Sequence, residues 1–230
     1  MGKRLFPTFV KYVSQSVMGM VGISCYILAD TWFVSAAFGA EGLAALNLAI
    51  VVYSLMNAAG LMAGIGGATL FSLSFAAGRE RRTEIFSSTA ALGLFFVVIF
   101  TGAGLFFSGG IARLLGADEV IFAMTRSYLR TILSFSLFFI MNNIFLAFVR
   151  NDGSPRLAMA AMVTGSLSNI ALDYLFIFPF GWGLFGAALA TAIAPMISLA
   201  LLSLHFVLRR SSFRPSLRRL RAGAVAKMIP

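Results

Sequence analysis

The sequence predicts an all-α integral membrane protein, a bundle of six transmembrane helices, and three observations carry that expectation. Of its 230 residues 60% are apolar and only 11% charged, with a mean hydropathy of +0.93. A soluble domain needs about 25% charged residues to wet its surface. The apolar residues fall into long stretches, each matching the roughly 20 residues that cross a bilayer. Segments of about ten residues alternating apolar and polar, the pattern of a membrane barrel, do not occur. The 24 Phe and 22 Gly suit lipid-facing bulk and close helix contacts. Soluble enzymes and disordered chains are excluded, and with Cys25 as the sole cysteine so is a disulfide scaffold.

In order, the spans read as 9–38, 46–78, 85–107, 121–149, 156–178 and 184–208. The breaks are Gly39–Ala45, Arg79–Glu84, Ser108–Val120, Arg150–Pro155 and Phe178–Gly183, each holding the Gly, Pro or charges that punctuate helices. The first span is too long for a signal peptide and contains Asp30. An even number of crossings puts both ends of 1–208 on one side, where fifteen of the 18 Lys and Arg fall. The other side holds Arg113, Arg126 and Arg130. The positive-inside bias therefore predicts a cytoplasmic location for both ends. It also accounts for the net charge of +10 without nucleic acid. Residues 209–230 read as a basic cytoplasmic linker lying on anionic headgroups. From Ala222 the chain turns apolar again, as at the start of a seventh helix.

Polar groups inside the spans are the informative ones, because a charge near a helix centre costs roughly 2.5–3.5 kcal/mol. Two carboxylates lie well within spans, Asp30 in the first and Asp173 in the fifth, both in the outer half. Asn169 and Tyr26 each stand one turn before an Asp, on the same helix face. Asn142 and Asn143 in the fourth span and Thr191 in the sixth add amide and hydroxyl oxygens. Gathered together, such donors suit a proton or an alkali cation such as Na⁺ at Asp30, Asn169 and Asp173, and not zinc. Met18, Met56, Phe138 and Met141 offer a forgiving apolar wall for a substrate, though helix packing explains each of them as well. Arg126 and Arg130 read as snorkelling to the outer headgroups, and His205 as interfacial. The run Gly181–Gly186 matches G-x-G-x-x-G, but no strand precedes it and no acid follows about 20 residues on. Neither catalysis nor a cofactor is expected. Gly60 and Gly64 make one side of the second span smooth for close packing.

Several stretches together resemble the multidrug and toxic compound extrusion (MATE) family, most closely its bacterial exporters of cationic drugs. They are Asn169-Ile-Ala-Leu-Asp173-Tyr-Leu-Phe-Ile-Phe with the following GWGLFGAALATAIAP, Ile27-Leu-Ala-Asp30-Thr-Trp-Phe-Val-Ser, GAEGLAALNLA and Ala147-Phe-Val-Arg-Asn-Asp-Gly-Ser-Pro-Arg. The resemblance implies a twelve-helix transporter of which this is the N-terminal six-helix lobe. It further implies a pocket where Asp30, Asn169, Asp173, Thr191 and Tyr26 bind the coupling H⁺ or Na⁺. Lipophilic cationic drugs or dyes, membrane lipids and a C-terminal lobe are the implied partners, in a bacterial inner membrane. The proline that some members carry within the first helix is absent, Pro7 standing only at its start. A lipid-linked sugar flippase of the same superfamily and a non-transporting membrane subunit are the alternatives.

Overall fold

A computed structural model describes residues 5–74, 78–208 and 211–212, with side chains from Val10 onward except at positions 11, 12, 16, 23, 78 and 79. Six helical segments and no strand occur among the described residues. Helix α1 (Leu5–Leu73) runs for 69 residues, which at 1.5 Å per residue is about three times the bilayer core. Gly39 breaks it, with φ 61° and ψ −148°, a region open essentially to glycine alone. The two arms, 5–38 and 40–73, are the first two spans. The expected loop at 39–45 is thus a single residue, because Ala40, Glu41 and Leu43–Leu46 are strong helix formers.

Helix α2 (Gly78–Leu114) contradicts the expected break at Arg79–Glu84, since those residues form its first two turns. Arg81 Nη1 meets Glu84 Oε2 at 3.0 Å, one turn apart. Charges end the lipid-embedded length without ending the helix. Asp118 Oδ1 accepts the N–H groups of Val120 (3.2 Å) and Ile121 (3.0 Å) and so sets up α3 (Phe122–Ser134). The predicted fourth span is two helices, α3 and α4 (Ser136–Asn151), bent by 50° at Phe135. Ser136 Oγ pins the bend to α2 through Thr101 Oγ1 at 2.8 Å. Helices α5 (Pro155–Ile177) and α6 (Gly183–Val207) lie within a residue of their predicted bounds.

Glycines let the helices approach. A Cβ on Gly64 would stand 3.0 Å from the Asn143 carbonyl oxygen and 3.1 Å from Ile144 Cα of α4. One on Gly165 of α5 would stand 3.2 Å from the Ala194 carbonyl oxygen of α6. At one end of the bundle Phe71, Phe86 and Phe148 stack edge to face, with centroids 5.0–5.3 Å apart. Apolar residues such as Val98 and Phe106 on α2 stay exposed, as a lipid-facing surface requires.

His205, in the last turn of α6, packs inside the protein. It is fully buried, its Nε2 lying 2.8 Å from Asp152 Oδ2 in the α4–α5 link. The Ser212 N–H donates to the same oxygen at 2.8 Å, and the Ser212 hydroxyl donates to Asp152 Oδ1. The rest of the basic linker, 209–210 and 213–230, lies outside the described residues, as do Lys3 and Arg4.

Candidate ion and substrate site

Two carboxylates from different helices face one interior. Asp30 lies nine residues before the Gly39 break, and Asp173 one turn before the end of α5. Asp173 is completely buried and Asp30 nearly so, close enough for their charges to repel. One oxygen of each, Asp30 Oδ1 and Asp173 Oδ1, has no hydrogen-bond partner among the described residues. Such oxygens demand a proton or a cation, since leaving them bare in a low-dielectric interior is costly.

Asn169 is also fully buried, one turn before Asp173 on α5. One orientation of its amide gives a 3.4 Å bond from Nδ2 to Thr191 Oγ1 but sets its oxygen against the carboxylate. Turned over, Nδ2 donates to Asp173 Oδ2 at 3.1 Å and the oxygen accepts the Thr191 N–H at 3.3 Å. The second orientation satisfies both ends, and we adopt it. Tyr128 of α3 lies beside Thr191 and within electrostatic reach of both carboxylates. Sequence reasoning passed over Tyr128 because a phenol in an amphipathic helix carries no distinguishing spacing.

Beside this cluster lies a cavity of about 300 Å³, bounded by α1, α4, α5 and α6. That is the size of a small-molecule site, which runs from about 300 to 1,000 Å³. Tyr26, Asn142, Asn143, Asn169 and Thr191 line it, five of the residues expected at the site. A polar chain crosses its wall. The Tyr26 and Tyr53 hydroxyls are 3.3 Å apart, Tyr53 bonds Asn57, and Asn143 Nδ2 donates to Asn57 Oδ1 at 3.0 Å. Asn142 Oδ1 and Ser198 Oγ face no partner among the described residues.

None of the four residues expected as an apolar wall lines this cavity. Met56 and Met141 are packed into the core, Phe138 stacks on Phe135, and Met18 is exposed on α1. Ile27, Leu61, Phe139, Leu146 and Met162 supply the wall instead. Composition cannot tell a cavity-facing Met from a packed one, since the difference is helix rotation. Pro195 is a second omission, and it had a visible signal. A proline inside α6 has no N–H to give the carbonyl four residues back, so the Thr191 C=O loses its helical partner beside the cavity that Pro195 lines. Among the described residues no three His, Cys, Asp or Glu side chains form a metal cluster.

A membrane helix bundle that buries ionisable groups against a cavity is built as transporters are. The MatE family model matches residues 16–175, and the chain belongs to the MATE family. It is 28% identical over 208 residues to the multidrug export protein MepA of Staphylococcus saprophyticus, covering 90% of this chain and 46% of that protein. MepA of Staphylococcus aureus strain MRSA252 is likewise 28% identical, over 87% of this chain and 46% of its own. A MATE transporter solved in a straight conformation superposes with TM-score 0.88 at 27% identity, over 96% of this chain and 50% of that one. A transporter of the MOP superfamily from Pyrococcus furiosus, described as having a binding pocket of reverse polarity, gives 0.87 at 26%, over 96% and 49%. The chain spans about half the length of the relatives it matches.

Proposed function

We propose that this chain is one lobe of a secondary active multidrug exporter, in which H⁺ or Na⁺ entry drives efflux of lipophilic cationic compounds. The observation that carries the reading is the pair of buried carboxylates, Asp30 and Asp173, each with an unpartnered oxygen among the described residues, Asp173 being joined through Asn169 and Thr191 to the wall of a drug-sized cavity. The lobe sits in a bacterial plasma membrane with both ends of the segment cytoplasmic, and a second lobe completes the path. Two carboxylates without a neutralising base attract a cation, and the apolar wall accepts its lipophilic body. A proton or Na⁺ on Asp30 and Asp173 removes that attraction. The Thr191 hydroxyl supplies a further oxygen to a bound Na⁺, and Asn169 does so only if its amide turns over, while a proton needs only the carboxylates. No charged side chain lines the cavity itself; the nearest buried charges are the carboxylates behind Asn169 and Thr191, and that sign favours a cationic substrate over a pyrophosphate-linked sugar.

The test is ethidium efflux from cells expressing the full-length protein, wild type against Asp173→Asn at matched protein levels, with an H⁺ or a Na⁺ gradient imposed in turn. Efflux driven by one gradient and abolished by the substitution is the expected result. Efflux that persists in Asp173→Asn, or is absent from both proteins, overturns the reading.

A further inference from the structure

The geometry points to a binding site for one anionic phospholipid in a groove between α3 and α6, at the membrane face where α2 ends. Only three basic residues belong to that face, Arg113, Arg126 and Arg130, and the fold gathers all three. The groove has a volume of about 640 Å³, and Phe122, Arg126, Arg130, Phe135, Phe185 and Leu189 line it. The Arg113 guanidinium lies 5.0 Å over the ring of Phe122 at its mouth. The stem of Arg126 is seated against α2, where a Cβ on Gly109 would stand 3.6 Å from its Nε.

Among the described residues these guanidinium groups have no counter-charge. The nearest acids in sequence are Asp118 and Glu119 in the α2–α3 link. Asp118 is turned to its own backbone, and no ion pair joins an acid to Arg113, Arg126 or Arg130 among the described residues. Two arginines one turn apart form a fork that matches phosphate oxygens.

The mixed lining selects a lipid over a soluble anion. Arg126 and Arg130 stand about 6 and 12 Å along α3 from Phe122, and Phe135 about 20 Å. Half the hydrocarbon thickness of a bilayer is about 15 Å. Phe185 and Leu189 stand about 3 and 9 Å along α6 from Gly183, so arginines and apolar side chains lie side by side along the groove, with Phe135 furthest in. A phospholipid offers both partners, a phosphate for the arginines and an acyl chain for the apolar floor. A free phosphate uses the arginines alone and leaves the apolar floor without a role. On the proposed orientation the site serves the outer leaflet, and it does not depend on drug transport.

The test uses full-length protein in nanodiscs of equal phosphatidylglycerol and phosphatidylcholine, with the lipids retained after detergent extraction counted by native mass spectrometry. Wild type should retain phosphatidylglycerol selectively, and the R126Q/R130Q double variant should retain it roughly 30-fold less strongly. Excess glycerol phosphate should not displace it. Leu189→Trp fills the floor without touching charge and should lower retention in the same direction, which keeps the test decisive if the double variant does not fold. Equal retention by wild type and the variants overturns the proposal. So does complete displacement by glycerol phosphate, which assigns the arginines to a soluble anion.

Discussion

Replacing Asp152 should loosen one whole end of the lobe. Asp152 caps α4 with its side chain 2% exposed, and the His205 side chain opposite is 0% exposed. Three groups converge on the carboxylate: His205 Nε2, the Ser212 N–H and the Ser212 hydroxyl. They tie the α4–α5 link to the end of α6 and to the chain beyond it. Asp152→Ala leaves both nitrogens of His205 without a protein partner, since Nδ1 already faces none, and orphans the Ser212 N–H. Removing one member of a buried pair costs about 3–5 kcal/mol. Asp152→Asn keeps one acceptor and should cost roughly 1–3 kcal/mol. The contribution also has a pH signature. Burial pushes the Asp152 carboxyl up, but the bonds from His205 and Ser212 outweigh it and hold the group below its ordinary range. Its stabilisation is then fully present above the unfolded value, about pH 4, and disappears as pH falls through the lower folded value. Reversible unfolding in mixed micelles, with Asp152→Asn, His205→Ala and the double variant compared across pH, measures both effects. Additive costs within about 0.5 kcal/mol would refute the coupling. A wild-type advantage that does not shrink as the solution is acidified below that range would refute the electrostatic part.

Gly64→Leu should destabilise the bundle by about 1–3 kcal/mol, because the new Cβ meets α4 backbone atoms at 3.0–3.1 Å, which cannot swing aside. Thermal melting reads this, and a change within error would mean the arm and α4 separate freely. Pro195→Ala returns an N–H to the Thr191 carbonyl and should weaken ion binding by roughly tenfold, one ligand interaction of about 1.4 kcal/mol. Unchanged ion affinity would show that this carbonyl takes no part. Asp30→Asn should abolish ion-driven efflux without lowering thermal stability, since a buried charge disappears while the side-chain shape stays. Lost stability with efflux retained would make Asp30 a structural residue.

The crossings were legible because hydrocarbon thickness sets a length that any apolar run must match. Their ends were not, because the sequence marks where lipid stops and the helix continues past it, as at Arg79–Glu84. The bend at Phe135 was invisible for a different reason, since neither Gly nor Pro stands there. Its anchor is a tertiary contact, Ser136 to Thr101. At the site, Asp30, Asn169 and Asp173 stood out because the bilayer makes a polar group conspicuous. Tyr128 and the pairing of His205 with Asp152 depend on which helices become neighbours, and composition holds no record of that.

In the proposed exporter, ion and substrate share a wall of this lobe. Asn169 and Thr191 both line the cavity, and both belong to the hydrogen-bonded group around Asp173. When Asp173 is charged, the Asn169 amide must turn its Nδ2 toward the carboxylate, because an oxygen placed there would face another acceptor. In the proposed cycle a proton on Asp173 replaces this charge-assisted bond by a weaker one to a neutral carboxyl, which loosens the amide and its hold on the Thr191 N–H. The change reaches the cavity lining within one side chain of the titrating group. Coupling between the ion and a bound cation then requires no long pathway through the fold. On that reading it follows from one amide that holds a charged Asp173 more tightly than a neutral one.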